Sequence, residues 1–150
     1  MRGGGTSIQA SPEQYFDLSR DLDLHRRSMA HTAEQAVAGK MTGLIALGAQ
    51  VTWRGRHFGC LHAHTAQVTA CNRPHHFRDA MVRGRFKWFV HDHYFEPTAG
   101  GTRMRDVLEF ASPLGVLGRV VDALILTRYL RRLLHQRNAL IQQVAEAGGS

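Results

Sequence analysis

The chain has 150 residues, enough for one domain, and its 43% hydrophobic and 21% charged content is ordinary for a globular protein. No apolar run reaches the roughly 18 residues of a membrane span, and Cys60 and Cys71, only two and without CxxC spacing, argue against a zinc finger or disulfide scaffold and suit a reducing, cytoplasmic setting. The 19 Lys+Arg against 12 Asp+Glu give a formal charge of +7, but these residues are dispersed rather than clustered with aromatics, so no specific nucleic-acid partner is expected.

Met1-Arg2-Gly3-Gly4-Gly5 reads as a flexible lead without the charged and apolar regions of an export signal. A short strand is expected over Thr6 to Ala10. Ser11-Pro12-Glu13 then opens a helix, with Ser11 as its cap, Pro12 in its first turn and Tyr15, Phe16 and Leu18 as apolar contacts. A loop or second short helix follows through Leu24 to Thr32. From Gln35 to Phe110 apolar residues recur with period two, which predicts strands near 34–39, 49–59, 60–70, 76–83, 86–97 and 102–111. Gly59, Asn72-Arg73-Pro74, Arg83-Gly84 and the stretch from Pro97 to Gly101 supply the turns, and connections this short imply an antiparallel meander.

Ser112-Pro113 opens a final helix that runs to about Ala147, with Leu126, Leu130, Leu133, Leu140, Ile141 and Val144 on one stripe. Some 30 helical residues span roughly 45 Å, enough to cross a sheet bent around them. The expected organisation is a lead at 1–5, one domain at 6–147 and a tail at 148–150.

Glu34-Gln35-Ala36-Val37-Ala38-Gly39, the run from Val51 to Gly59, Asn72-Arg73-Pro74, Val82-Arg83-Gly84, the run from His91 to Pro97, Gly101-Thr102-Arg103-Met104-Arg105-Asp106 and Pro113-Leu114-Gly115 together resemble bacterial SRPBCC proteins. These are the polyketide cyclase/dehydratase and lipid-transport relatives of START domains and birch-pollen-type allergens. The resemblance covers about residues 6 to 147. It implies an α+β helix-grip fold, in which one or two short helices follow the first strand and a six- to seven-stranded antiparallel sheet curves around a long C-terminal helix. It also implies a cavity for lipids, polyketides or aromatic metabolites, without implying one reaction.

Strand parity assigns side chains to that cavity, since residues two apart share a face. The concave set is expected to hold Trp53 and His57, then His62 and His64, then Phe77, Asp79, Met81 and Arg83. The last two strands add Phe89, His91, His93 and Phe95, then Met104, Asp106 and Leu108, and the helix adds Leu124 and Tyr129. So many titratable groups suit a wet or ligand-filled interior, because unpaired polar burial is costly.

Three readings stand open. The cavity binds a small, largely apolar molecule whose oxygen atoms the polar groups orient. Alternatively His91 or His93, with Asp106, works as general acid and base in a cyclisation or dehydration of a carbonyl compound. Lastly, His62-x-His64 and His91-x-His93, completed by Asp106, have the spacing of metal ligands, although the resemblance requires no metal or other cofactor. No Gly-x-Ser-x-Gly elbow or phosphate-binding loop is present. Arg128, Arg131, Arg132, His135 and Arg137 read as a solvated helix face, or as one that touches an anionic membrane transiently during ligand delivery.

Overall fold

The alternating segment folds into six consecutive antiparallel strands, β2 (Gln35–Gly39), β3 (Gln50–His57), β4 (Cys60–Asn72), β5 (His76–Arg83), β6 (Trp88–Thr98) and β7 (Gly101–Ala111). A short first strand, β1 (Thr6–Ile8), pairs antiparallel with β7 and completes a seven-stranded sheet of order β1-β7-β6-β5-β4-β3-β2. This is a computed structural model, and it describes residues 6–29, 34–57, 60–111, 120 and 122–148. Every strand expected from the alternation is present. Gly101 lets β1 dock: its φ is +154°, and a Cβ there would lie 2.0 Å from the Ile8 carbonyl oxygen.

Helix α1 (Pro12–Ser19) begins where the sequence placed it, with the Ser11 hydroxyl accepting the Gln14 N–H at 3.2 Å. Of the two options for the next segment, the second helix is realised as α2 (Leu22–Ser28), capped by Asp21, whose carboxylate accepts the N–H of Asp23 and Leu24. The terminal helix α3 (Thr127–Gly148) is entered through a π-helical turn at Asp122–Leu126. The expected helix start at Ser112-Pro113 lies outside the described residues.

One end of the concave face is filled. Ile8, Tyr15, Phe16, Leu24, Phe77, Phe95, Met104, Ile141 and Ala145 form a single buried cluster there. Phe16 lies edge-on to Phe77 and Phe95, with centroids 5.2 and 5.3 Å apart, a favoured aromatic arrangement. A second cluster of Leu22, Ile45, Val51, Trp53 and Val68 lies toward the other end.

The packing yields a stability prediction. Phe16→Ala removes a fully buried ring and should cost about 3–5 kcal/mol. Val82→Ala, at a position 43% exposed, should change stability by less than about 0.5 kcal/mol. Urea unfolding of both variants checks the contrast.

Candidate functional site

Between the unfilled part of the concave face and α3 lies a cavity of about 350 Å³. Val51, Trp53, Val68, Phe77, Phe89 and Leu108 line it from the sheet, and Leu126, Leu130, Leu133 and Leu134 close it from the helix side. Leu22, Met29 and Ile45 complete the apolar wall.

Pairing register places four titratable side chains together at the inner wall. Asp79 lies opposite His91 and Phe77 opposite His93 across β5 and β6, while His93 lies opposite Asp106 across β6 and β7. Asp106 is fully buried and fully partnered. Its Oδ1 accepts from His91 Nε2 at 2.8 Å and Arg137 Nη2 at 3.0 Å, and its Oδ2 accepts from Asn138 Nδ2 at 2.8 Å. Burial alone would raise its pKa, but the Arg137 guanidinium and the two histidines hold it well below the usual carboxylate range.

His91 is pushed down to about 4, by burial first and the neighbouring His93 second, against the opposing pull of Asp106. It is therefore neutral near pH 7. Because its Nε2 faces the Asp106 carboxylate, that nitrogen carries the proton and Nδ1 keeps a lone pair. His93 stacks between Phe77 and His91, with centroids 4.0 and 3.8 Å away. Its Nε2 bonds Asp79 Oδ2 at 2.9 Å. Its Nδ1 is buried 3.3 Å from Asp106 Oδ1 and makes no hydrogen bond. Asp79 is held at about 2; burial would raise it, and the hydrogen bond from His93 with the nearby His91 outweighs that effect.

A second polar group lines another part of the cavity. Glu34 accepts from His25 Nε2 at 2.7 Å and lies 3.6 Å from His57 Nε2. Those histidines overcome the cost of burial and hold Glu34 at about 2. The other ring nitrogen of His57 bonds the Tyr129 hydroxyl, and His62 Nε2 contacts the His57 carbonyl at 3.2 Å. His64 packs edge-on to Phe89, and burial lowers its pKa.

Trp53, His57, His62, His64, Phe77, Asp79, Phe89, His91, His93 and Leu108 therefore line the cavity from the strand face that parity gave them, and Tyr129 lines it from the helix. Asp106 stands behind His91 and His93. Five expected lining residues belong elsewhere. Phe95 and Met104 share the concave face but are consumed by the core under α1. Arg83 is exposed because a bulge at Val82 pairs it with Thr65 and so turns it to the other face. Met81 lays its sulfur over Gly84 and does not line the cavity. Leu124, 63% exposed, falls out of phase in the wide π-helical turn.

Arg137, read as part of a solvated face, is only 6% exposed and bound to Asp106. It was missed together with Asn138, His25 and Glu34. A signal existed for the first two: Leu133, Arg137 and Ile141 are four apart, and Leu134 and Asn138 likewise, so a polar pair interrupts the apolar stripe. Nothing in the sequence pointed to Glu34 and His25, which meet only through the tertiary fold.

The architecture has many solved counterparts. Protein TTHA0849 from Thermus thermophilus superposes with a TM-score of 0.73 at 16% identity, covering 97% of this chain and 99% of that one. The ginseng major latex-like protein 151 from Panax ginseng gives 0.71 at 14% identity over 97% and 95% of the two chains. Protein Ms6760 from Mycobacterium smegmatis gives 0.70 at 17% identity over 96% and 89%. This is the SRPBCC, birch-pollen-allergen-like helix-grip fold. No family model matches the chain, and no curated protein does. The helix-grip likeness at these identities establishes the fold alone.

The electrostatics of the site set a pH dependence. His91 binds its proton more weakly folded than unfolded, so the unfolded state takes up more protons between about pH 6.5 and 4, and stability falls as the pH drops through that window. Glu34 and Asp79, also depressed on folding, act with the same sign: their contribution is present above about pH 4.5 and is lost toward pH 2. Unfolding free energies from urea titrations at pH 7 and 5 should therefore differ by on the order of 2 kcal/mol, and His91→Phe should flatten that slope. Separately, Arg137→Met strands a buried Asp106 carboxylate and should cost about 3–5 kcal/mol, read by thermal unfolding.

Proposed function

We propose that the cavity between the sheet and α3 binds a small, largely apolar molecule, such as a lipid, polyketide or aromatic metabolite. The observation that carries this reading is the cavity of about 350 Å³ with an apolar majority lining, into which the carboxylates Glu34 and Asp79 face already hydrogen-bonded to histidines. Ligand pockets have this composition: hydrophobic walls with a few placed polar groups that set orientation. The inner carboxylates are ionised and already hydrogen-bonded, so a neutral oxygen on the ligand suits that wall better than an anionic head group. No described helix is long and apolar enough to cross a membrane. The exposed Arg128, Arg131 and Arg132 of α3 would be the surface that meets an anionic membrane in ligand delivery.

A second reading is favoured by one observation. His91 is neutral, its tautomer is fixed by Asp106, and its Nδ1 lone pair is available as a general base. In a cyclisation or dehydration that base would take the proton next to a substrate carbonyl. Loss of a general base typically costs about 10²–10⁴ in rate, whereas a binding role costs far less.

Native mass spectrometry of the purified protein, followed by extraction of co-purifying compounds, identifies the ligand class. Titration with lipophilic probes should give saturable binding at roughly micromolar Kd, about −8 kcal/mol. Leu108→Trp, which fills the cavity from β7, should weaken that binding at least about tenfold. Unsaturable binding in the native protein would overturn the reading. With a substrate in hand, His91→Gln separates the two roles: lost turnover with retained affinity supports the enzyme.

A further inference from the structure

Asp79, His91 and His93 bring three metal-ligating groups to one point, with a donor atom from each lying within 4.8 Å of the other two. The juxtaposition follows from register, since Asp79 sits directly across from His91 while His91 and His93 share a face of β6. We propose that this triad binds a divalent transition-metal ion at the inner wall of the cavity, with open coordination positions toward the cavity. Two imidazoles and one carboxylate form a ligand set suited to Zn²⁺ or Fe²⁺, and three protein ligands leave room for water or a ligand oxygen.

The surroundings of the triad supply a second observation. His91 Nε2 and His93 Nδ1 both face Asp106 Oδ1, at 2.8 and 3.3 Å. The buried His93 Nδ1 makes no hydrogen bond, while His93 Nε2 faces Asp79 Oδ2. An ion held by His93 Nε2 and Asp79 would free the ring to turn its Nδ1–H to Asp106. Metal-bound histidines commonly donate their second N–H to a carboxylate in this way, and Asp106 would serve both rings.

The geometry requires little adjustment. His93 Nε2 and Asp79 Oδ2 are 2.9 Å apart, whereas two ligands about 2.0–2.1 Å from a tetrahedral ion are about 3.3 Å apart. The Asp79 side chain keeps 27% of its surface open, so it has room to shift. Asp106 cannot serve as the third ligand, because His91, Arg137 and Asn138 occupy both of its oxygens. Nor do His62 and His64 join the site: they turn to the His57 carbonyl and to Phe89. With the Asp106 charge neutralised by Arg137, the ion and Asp79 leave one net positive charge.

The inference does not depend on the apolar-ligand reading. The full chain, stripped with a chelator, is titrated with Zn²⁺ by calorimetry and with Co²⁺ by visible absorption. One ion per chain at roughly micromolar Kd or tighter is expected, with Co²⁺ giving the intense bands of a low-coordinate N/O site. Asp79→Asn and His91→Gln should each weaken Zn²⁺ binding by at least about tenfold, and His62→Ala should leave it unchanged. Asp79→Asn, at the most open of the three positions, decides the matter if His91→Gln does not fold. Absence of one-to-one binding, or equal affinity in Asp79→Asn, overturns the proposal. Lipophilic-probe binding measured with chelator present keeps the two readings separate, since either can fail while the other holds.

Discussion

A carboxylate with no exposed surface can stay ionised only if the protein replaces its water, and Asp106 sets that demand at the centre of the molecule. The replacement comes from both layers of the fold. His91 answers from the neighbouring strand, while Arg137 and Asn138 answer from α3. Hydrogen bonds are directional, so satisfying all of them fixes the rotation and height of α3 over the sheet in a way apolar packing alone would not. Such a pair adds little net stability over an apolar substitute; its value here is registration. The same bonds fix the His91 ring and its tautomer, and thereby the chemistry of the inner wall.

That anchor lies where two different halves of α3 meet. On its C-terminal side, Ile141 and Ala145 are buried in the core under α1, with Leu140 and Val144 packed against it. On its N-terminal side, Leu130, Leu133 and Leu134 face the cavity, as does Leu126 in the π-helical turn before it. The sheet divides in the same way: Phe95 and Met104 are core, while Phe89 and Leu108, on the same face of the same strands, line the cavity. The aromatic residues of α1 reach only part of the concave face, and the cavity occupies what they leave uncovered.

Much of this was legible in the sequence because one-dimensional periodicity survives folding when a strand is regular. The alternation in 86–97 put His91, His93 and Phe89 on one face, and adjacency of sequential strands brought Asp106 beside them. Ser11 and Pro12 marked a helix start by local chemistry alone. What escaped did so for definite reasons. One extra residue at Val82 inverted the side of Arg83, and parity carries no signal of a bulge. The π-helical turn broke the 3.6-residue phase and displaced Leu124. Arg137 was read by its charge, whereas its place in the stripe with Leu133 and Ile141 decided its burial. The Glu34–His25–His57 group joins α2, the residue before β2 and the end of β3, and neither helix nor strand spacing encodes it.

The division of α3 also bears on how a cavity persists in a folded chain. An unfilled apolar space forfeits the dispersion contacts its lining would otherwise make, so the elements around it are held less firmly than those around a packed core. Here the less firmly held part is the N-terminal half of α3 and the π-helical turn before it, where Leu124 and Ile125 are exposed rather than packed. The Asp106 network prevents that looseness from spreading, because the helix cannot rotate past Arg137 and Asn138 without stranding a buried charge. Any occupant of the cavity thus meets one wall fixed by hydrogen bonds, which carries His91, His93 and Asp79, and one adaptable wall of leucines. A rigid polar wall can orient a ligand while a compliant apolar one accommodates its shape, and the position of Asp106 on β7 separates the two.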